Sequence, residues 1–185
     1  MAPGHLAEVR AIVKNGSYVK VSKILEGAET RNGTAAAALA ALGEEECNVL
    51  LHDGVRPLVS QKIIAANVEA LQTHEAVDTA IPSADTIIRV NDDQDSIADV
   101  LPRHLLRRAQ TPQSFRLSTI RAAYANAAQD PNFTATDDCT VVFRYLPEVP
   151  IAVVAGHERN MKVTEPTDVY IADKLLQLTS ADFPR

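Results

Sequence analysis

The chain has 185 residues, a hydrophobic content of 46% and a formal net charge of −6. This length suits a single domain over residues 1–185, and the acidic charge argues against nucleic acid as the main partner. No apolar run is long enough to span a bilayer and the first residues lack a signal-peptide pattern, so we expect a cytoplasmic protein with no membrane partner. Cys47 and Cys139 lie far apart and are expected to be reduced core thiols, neither a disulfide nor a metal site.

Helical and extended patterns alternate along the chain. In order they predict a helix at 4–14, a strand at 17–25, a polar turn and a helix at 34–42, a strand at 48–52, a helix at 60–73, strands at 76–82 and 85–90, helices at 118–127 and 137–146, strands at 151–156 and 160–164, and a helix after Thr164. Ser60 and Thr136 are predicted N-caps, and residues 101–115 show no clean period. The alternation predicts an α/β sandwich around a mostly parallel sheet.

The stretch "LLHDGVRP" is the first candidate for chemistry. Asp53 follows a predicted strand and Arg56 lies in the turn that Pro57 ends. Ligands of α/β sheets bind beyond the carboxyl ends of strands, so a carboxylate for a hydroxyl or metal could lie beside a guanidinium for phosphate. A structural Asp–Arg pair that stabilises the turn explains the same residues equally well.

Other charged groups are less specific. Arg103, Arg107 and Arg108 could hold phosphate, but a solvated face is the simpler interpretation. Lys162, in "NMKVT", could equally be a lone exposed lysine. The histidines show no metal-ligand spacing, so no metal site is predicted from protein side chains. The sequence also contains no glycine-rich phosphate-binding loop.

The order of these motifs is more specific than any one of them. A glycine and arginine turn is followed by H-D-x-x-R-P, D-T-I, Q-T-P-Q-x-F, T-D-D and N-M-K-V-T-x-P-x-D. This order resembles the cytidylyltransferases that activate polyol phosphates, acting on 2-C-methyl-D-erythritol 4-phosphate or D-ribitol 5-phosphate. The resemblance covers residues from Met1 to about Leu178.

The resemblance implies a Rossmann-like nucleotidyltransferase fold, a three-layer α/β sandwich with a β-arm at about residues 83–113 through which two copies form a homodimer. It implies that CTP and a polyol phosphate give a CDP-polyol and pyrophosphate. Mg²⁺ is expected as the cofactor, held mainly by the CTP phosphates. Protein catalysis would then consist mainly of positioning and charge stabilisation.

The resemblance also assigns roles residue by residue. Asp53 and Arg56 correspond to the pair that faces the polyol phosphate, and Lys162 to a lysine on nucleotide phosphate. Contacts with cytosine and ribose are implied for Ala28, Glu29 and Thr34, and a position against the nucleotide for Gly54. Contacts with the acceptor phosphate are implied for Arg103 and Thr136.

This sequence departs from the family pattern at its front. The family opens with a strand, a glycine-rich loop carrying an arginine, and a P-K-Q lysine, and none is present here. We therefore expect N-terminal strands of the fold to be missing and this chain alone to bind CTP poorly. The segments "THEAVDTAIPSADTIIRV" and "TDDC" favour D-ribitol 5-phosphate as acceptor, with methylerythritol phosphate as the alternative. An inactive fragment or remnant that dimerises or binds a nucleotide is a second class of explanation.

Overall fold

The computed structural model describes residues 3–178. A 3-10 turn at Pro3–His5 and another at Arg103–Leu105 accompany six helices and six strands within these residues. The helices are α1 Leu6–Asn15, α2 Arg31–Ala40, α3 Gln61–Ala70, α4 Leu117–Ala127, α5 Asp138–Tyr145 and α6 Pro166–Gln177. The strands are β1 Asn48–Leu51, β2 Ala76–Pro82, β3 Ile88–Val90, β4 Ile97–Val100, β5 Arg107–Arg116 and β6 Ile151–Ala155. None of these helices is long and apolar enough to cross a membrane.

These elements divide into two compact units. The helical unit contains the described residues up to Cys47 together with Leu117–Pro147, and thus α1, α2, α4 and α5. Ile120, Ala123, Val141 and Val142 are fully buried in it. The apolar faces of α4 and α5 therefore form its core, as the 3.6-residue period of each helix requires.

The sheet unit contains Asn48–Arg116 and the described residues from Glu148 onward. Its main sheet has the order β1-β5-β2-β6, and β3 pairs with β4 in a separate antiparallel ribbon within the predicted arm. Helix α3 packs on the sheet, where Ile63 and Leu71 are buried. A buried polar network also joins them, because Asn67 donates to Thr79 Oγ1 at 2.9 Å and accepts from Ser114 Oγ at 2.8 Å.

The expectation of a mostly parallel sheet needs a correction at β5. Strands β1, β2 and β6 share one direction, but β5 is antiparallel to both β1 and β2, so β2–β6 is the parallel pair. The chain leaves the sheet after β2, forms the β3–β4 ribbon and returns as β5. A strand that returns in this way beside its predecessor runs antiparallel to it.

Two predicted strands are wrong. Residues 17–25 form no strand, because the N–H groups of Val19 and Val21 bond locally to Ser17 and Tyr18 instead of to a neighbouring strand. Residues 160–164 are also irregular, since Val163 N–H donates to the Val55 carbonyl in a turn. Extended sequence patterns become strands only where a second strand pairs with them.

Two strands were missed and one helix begins earlier than predicted. Strand β5 lies in the aperiodic stretch because it buries polar side chains, including Gln110, Gln113 and Ser114. The exposed β4 carries no burial signal. Helix α2 begins at Arg31 because Thr30 caps it by accepting from Gly33 N–H. Cys139 is buried as expected, whereas Cys47 is exposed, and neither forms a disulfide.

Candidate functional site

A tight turn follows β1 and contains Asp53, Gly54 and Arg56. The Arg56 N–H donates to the Asp53 carbonyl at 2.9 Å, which closes a four-residue turn. The Val55 carbonyl accepts from Val163 N–H at 2.8 Å. These bonds hold residues 53–56 against the segment that carries Lys162.

Two cations and one carboxylate meet at this turn. Lys162 Nζ lies 3.1 Å from Asp53 Oδ2, and Arg56 Nε lies 4.0 Å from the same oxygen. Arg56 is 11% exposed, Asp53 19% and Lys162 47%. The structure thus brings together the three side chains for which sequence reasoning left structural and functional explanations open.

The Arg56 guanidinium is buried without a full set of partners. Its terminal nitrogen donates to the Asn160 carbonyl at 2.7 Å, while Nε has no hydrogen-bond partner among the described residues. The 4.0 Å separation from Asp53 gives electrostatic attraction but is too long for a hydrogen bond. Burial lowers the pKa of Arg56 and the Asp53 charge opposes that shift. A desolvated donor left unsatisfied in this way favours binding of an anion.

Asn160, whose backbone carbonyl accepts from this guanidinium, is itself held in place by β5. It is fully buried, and its amide nitrogen donates to Gln110 Oε1 at 3.2 Å and to the Thr111 carbonyl at 2.8 Å. The structure therefore connects "NMKVT" directly to "QTPQ" on β5. Sequence reasoning missed these supporting residues, and the signal was present: amide side chains inside both motifs, where a buried element would normally carry apolar ones.

Thr111 and His52 hold the other side of the turn. Thr111 Oγ1 accepts from Asp53 N–H at 3.0 Å and lies 3.0 Å from His52 Nδ1. His52 Nε2 lies 3.0 Å from the Arg56 carbonyl oxygen. Both side chains therefore contact the turn that bears the charged groups, and although both lie in the ordered motifs, neither was assigned a role from sequence.

Gly54 and Arg103 lie in the same unit but in different surroundings. A Cβ added at Gly54 would meet nothing within 4 Å, and the residue borders a hollow of about 410 Å³ with Val55, Val163 and Ala172. The predicted approach of a nucleotide to Gly54 stays a prediction. Arg103 is exposed in the arm and donates to the Ala84 carbonyl at 3.3 Å.

The neighbouring arginines of the arm are engaged with their own chain. Arg108 donates two hydrogen bonds to the Glu158 carboxylate, at 2.7 and 2.9 Å. Arg107 donates to the carbonyls of His104 and Leu106. These contacts favour the solvated-face interpretation for Arg107 and Arg108.

Ala28, Glu29 and Thr34 lie in the helical unit, at the start of α2. Thr34 Oγ1 accepts from Ala28 N–H at 3.0 Å and lies 3.0 Å from the Thr30 carbonyl oxygen, to which it can donate. Glu29 is exposed between them. The structure thus joins Ala28 and Thr34 in one turn, and their predicted contacts with cytosine and ribose stay predictions.

Thr136 is exposed and is not the N-cap of α5, which corrects the sequence-based expectation. Asp137 is the cap, because its backbone is extended and its carboxylate accepts from Thr140 N–H at 2.7 Å. Thr136 is one residue too early for that contact. Asp138 is buried, pairs with Arg31 at 2.7 Å and accepts from the Tyr124 hydroxyl at 2.7 Å, which raises the pKa of Tyr124 further after burial has raised it.

The described residues contain no cluster of three or more His, Cys, Asp or Glu side chains suited to a metal ion. Mg²⁺ bound to a nucleotide takes most of its ligands from phosphate oxygens and water and needs one or two protein carboxylates. Asp53, partly exposed at the turn, fits the requirement for a single carboxylate.

A largely buried guanidinium, a lysine and a carboxylate beside a strand end of an α/β sheet are groups suited to binding phosphate, as nucleotidyltransferases require. The model of the 2-C-methyl-D-erythritol 4-phosphate cytidylyltransferase family matches residues 2–178. The chain belongs to this family.

Individual relatives agree with this assignment. A 2-C-methyl-D-erythritol 4-phosphate cytidylyltransferase of Thermobifida fusca (strain YX) is 49% identical over 182 residues, which cover 96% of this chain and 73% of the relative. A bifunctional ribulose 5-phosphate reductase/CDP-ribitol pyrophosphorylase of Haemophilus influenzae is 38% identical and covers 93% of this chain, which spans only 36% of that protein.

The fold is also that of a solved structure. The crystal structure of 4-diphosphocytidyl-2C-methyl-D-erythritol synthase from Anaerococcus prevotii DSM 20548 matches with a TM-score of 0.86 at 29% identity, over 96% of this chain and 79% of that chain. This likeness confirms the predicted Rossmann-like nucleotidyltransferase class of α/β fold.

Proposed function

We propose that this protein transfers CMP from CTP to a polyol phosphate, giving a CDP-polyol and pyrophosphate. The observation that carries the proposal is the buried Arg56 guanidinium, whose Nε has no hydrogen-bond partner among the described residues while Lys162 and Asp53 lie beside it. Family membership supplies the reaction class, and this turn supplies a place for the phosphate charge.

In the proposed reaction an oxygen of the acceptor phosphate forms a bond to the α-phosphorus of CTP. The bond from that phosphorus to the oxygen bridging the β-phosphate breaks, and pyrophosphate leaves with the electron pair. Arg56 binds the acceptor phosphate and Lys162 neutralises nucleotide phosphate charge as it develops. Asp53 keeps both cations oriented, since it lies between them, and faces the hydroxyls of the polyol.

Mg²⁺ would be held by the CTP phosphates with at most one carboxylate oxygen of Asp53. When bound, it would neutralise charge on the leaving pyrophosphate. The remaining roles belong to the side chains of the turn.

Between the two acceptors, we favour 2-C-methyl-D-erythritol 4-phosphate. The family description and the 49% identical Thermobifida fusca relative both carry that name. This reverses the preference drawn from the sequence segments. D-Ribitol 5-phosphate is the second candidate, because the name of the 38% identical Haemophilus influenzae protein includes CDP-ribitol pyrophosphorylase.

We also propose that two copies associate through the β3–β4 ribbon. Its apolar side chains are exposed within one chain: Ile88 by 44%, Ile97 by 62% and Val100 by 58%. Exposed apolar groups on a projecting ribbon are typical of a protein–protein interface.

Steady-state pyrophosphate release tests the function. The protein is expected to release pyrophosphate with CTP and methylerythritol phosphate, and much less with ATP or with no acceptor. The assay extends to high CTP concentrations, because weak CTP binding is a separate prediction. Specific nucleotide binding without turnover would instead support the non-catalytic alternative.

A further inference from the structure

His52 is linked to the Asp53–Arg56 turn through both ring nitrogens, yet none of the proposed steps uses it. The imidazole lies immediately before Asp53, with Nδ1 at 3.0 Å from Thr111 Oγ1 and Nε2 at 3.0 Å from the Arg56 carbonyl oxygen. A side chain placed only by packing has no reason to use both ring nitrogens on two different partners. The chemistry of those partners fixes how the hydrogens are arranged.

The Arg56 carbonyl can only accept a hydrogen bond, so Nε2 must carry the hydrogen. In the neutral imidazole Nδ1 is then an acceptor, and the Thr111 hydroxyl must donate to it. The lone pairs of that hydroxyl remain available for Asp53 N–H, which lies 3.0 Å away. The hydrogen bonds therefore run in one direction, from Asp53 through Thr111 to His52 and on to Arg56.

This arrangement closes a ring between the turn and β5. Asp53 and Arg56 are also joined directly by the Arg56 N–H to Asp53 carbonyl bond of 2.9 Å. With His52 in place, both backbone ends of the turn are tied to Thr111. Without it, the Arg56 carbonyl loses this partner and the Thr111 hydroxyl is free to rotate.

We propose that His52 is a positioning residue, which holds Asp53 and Arg56 in register for the acceptor phosphate as the Nε2–H tautomer. The proposal rests on the proposed function of the turn. It assigns no contact between His52 and substrate, since the imidazole acts through the backbone of its neighbours and the hydroxyl of Thr111.

Substitutions separate the two bonds. In His52→Asn the amide oxygen replaces Nδ1 as acceptor, and in His52→Gln the amide nitrogen replaces Nε2 as donor, whereas His52→Ala loses both. We expect His52→Ala to lower kcat/KM for the acceptor by roughly thirtyfold, mostly through KM, and each amide variant by roughly fivefold. The matched control is His74→Ala, an exposed histidine whose Nδ1 contacts Ala70 and Thr73, with a change within about twofold.

A second substitution tests the shared path. Because Thr111→Val removes the same hydroxyl contact, its effect and that of His52→Ala should be less than additive in the double variant. Additive effects, or a His52→Ala protein with the kinetics of His74→Ala, would overturn the proposal.

The tautomer is measured without any activity, by ¹⁵N NMR of the histidine-labelled protein at mildly alkaline pH, where imidazole is neutral. The His52 signals are expected to show a protonated Nε2 and an unprotonated Nδ1. The opposite tautomer, or a mixture of the two, would contradict the proposal even if none of the variants folded. A wild-type protein without turnover would overturn the proposed function instead, and with it the catalytic purpose of these hydrogen bonds. Failure of the tautomer assignment and failure of the proposed function are therefore distinguishable.

Discussion

Replacement of Arg56 tests the phosphate site most sharply. In Arg56→Lys the charge stays, but one ammonium must replace a guanidinium that donates to the Asn160 carbonyl at 2.7 Å and still has Nε available. A lysine can reach the Asn160 carbonyl or the phosphate, but its geometry does not suit both. Arg56→Met removes the charge altogether.

The expected magnitude follows from the bonds involved. A hydrogen bond to a charged group is worth about 1.5–3 kcal/mol, so Arg56→Lys should lower kcat/KM for the acceptor about a hundredfold. Arg56→Met, which loses the charge as well, should lower it about a thousandfold. The free energy of unfolding should fall by no more than about 1.5 kcal/mol in Arg56→Met, because removal of a desolvated guanidinium with an unsatisfied Nε offsets part of the lost bond to the Asn160 carbonyl.

The assay combines acceptor kinetics with urea denaturation of the same preparations. The control is Arg108→Met, which removes an exposed arginine paired with Glu158 and should alter kcat/KM by no more than about twofold. If Arg56→Met kept its activity but lost several kcal/mol of stability, Arg56 would be a structural residue and the reasoning would be refuted.

Four further predictions concern stability and assembly. Asn67→Ala should lower the free energy of unfolding in urea by about 2–3 kcal/mol, because it breaks fully buried bonds to Thr79 and Ser114; a loss below about 1 kcal/mol would contradict this. Tyr124→Phe should cost about 1–2 kcal/mol by removing the hydroxyl that donates to the buried Asp138, and no loss in the same assay would refute it. Backbone N–H groups of Thr164 and Glu165 lower the pKa of Asp168. Its contribution to the free energy of unfolding is therefore present above the pKa of an unfolded carboxyl and is lost as pH falls through the lower folded value. Thermal melts should lack this loss of stability at acid pH in Asp168→Asn and should keep it in Asp173→Asn. Ile97→Glu should convert a dimer to a monomer in analytical ultracentrifugation, and an unchanged dimer would exclude the ribbon as the interface.

The sequence predicted the helices well because their local signals agree with their burial. Helix α3 begins after Ser60, whose hydroxyl accepts from Ile63 N–H, and both Ile63 within the helix and Leu71 directly after it are buried. Helix α6 begins where Glu165 and Pro166 indicate, within a capping box formed with Asp168. In both helices the residues that mark the start of the pattern also accept hydrogen bonds from the first backbone N–H groups.

The strands and the site depended on distant residues, which local patterns do not contain. Strand β5 carries buried glutamines whose partners lie far away in the chain. Gln113 donates to Asp78 on β2, and Gln110 bonds to His157 and Asn160 beyond β6. The charged trio was proposed one residue at a time, but the distances among Asp53, Arg56 and Lys162 depend on residues 160–163 packing against the turn. The order of motifs indicated the family, and the supports Asn160, Thr111 and His52 became visible only in three dimensions.

Competition between the two acceptors in one reaction is the most direct test of the proposed cytidylyl transfer. The protein is incubated with CTP, Mg²⁺ and equal amounts of 2-C-methyl-D-erythritol 4-phosphate and D-ribitol 5-phosphate, and the products are followed by ³¹P NMR and mass spectrometry. We expect a CDP-polyol diphosphate signal that grows together with pyrophosphate, with methylerythritol as the main polyol. Formation of CMP without a CDP-polyol, or no product from either acceptor, would contradict the proposed transfer.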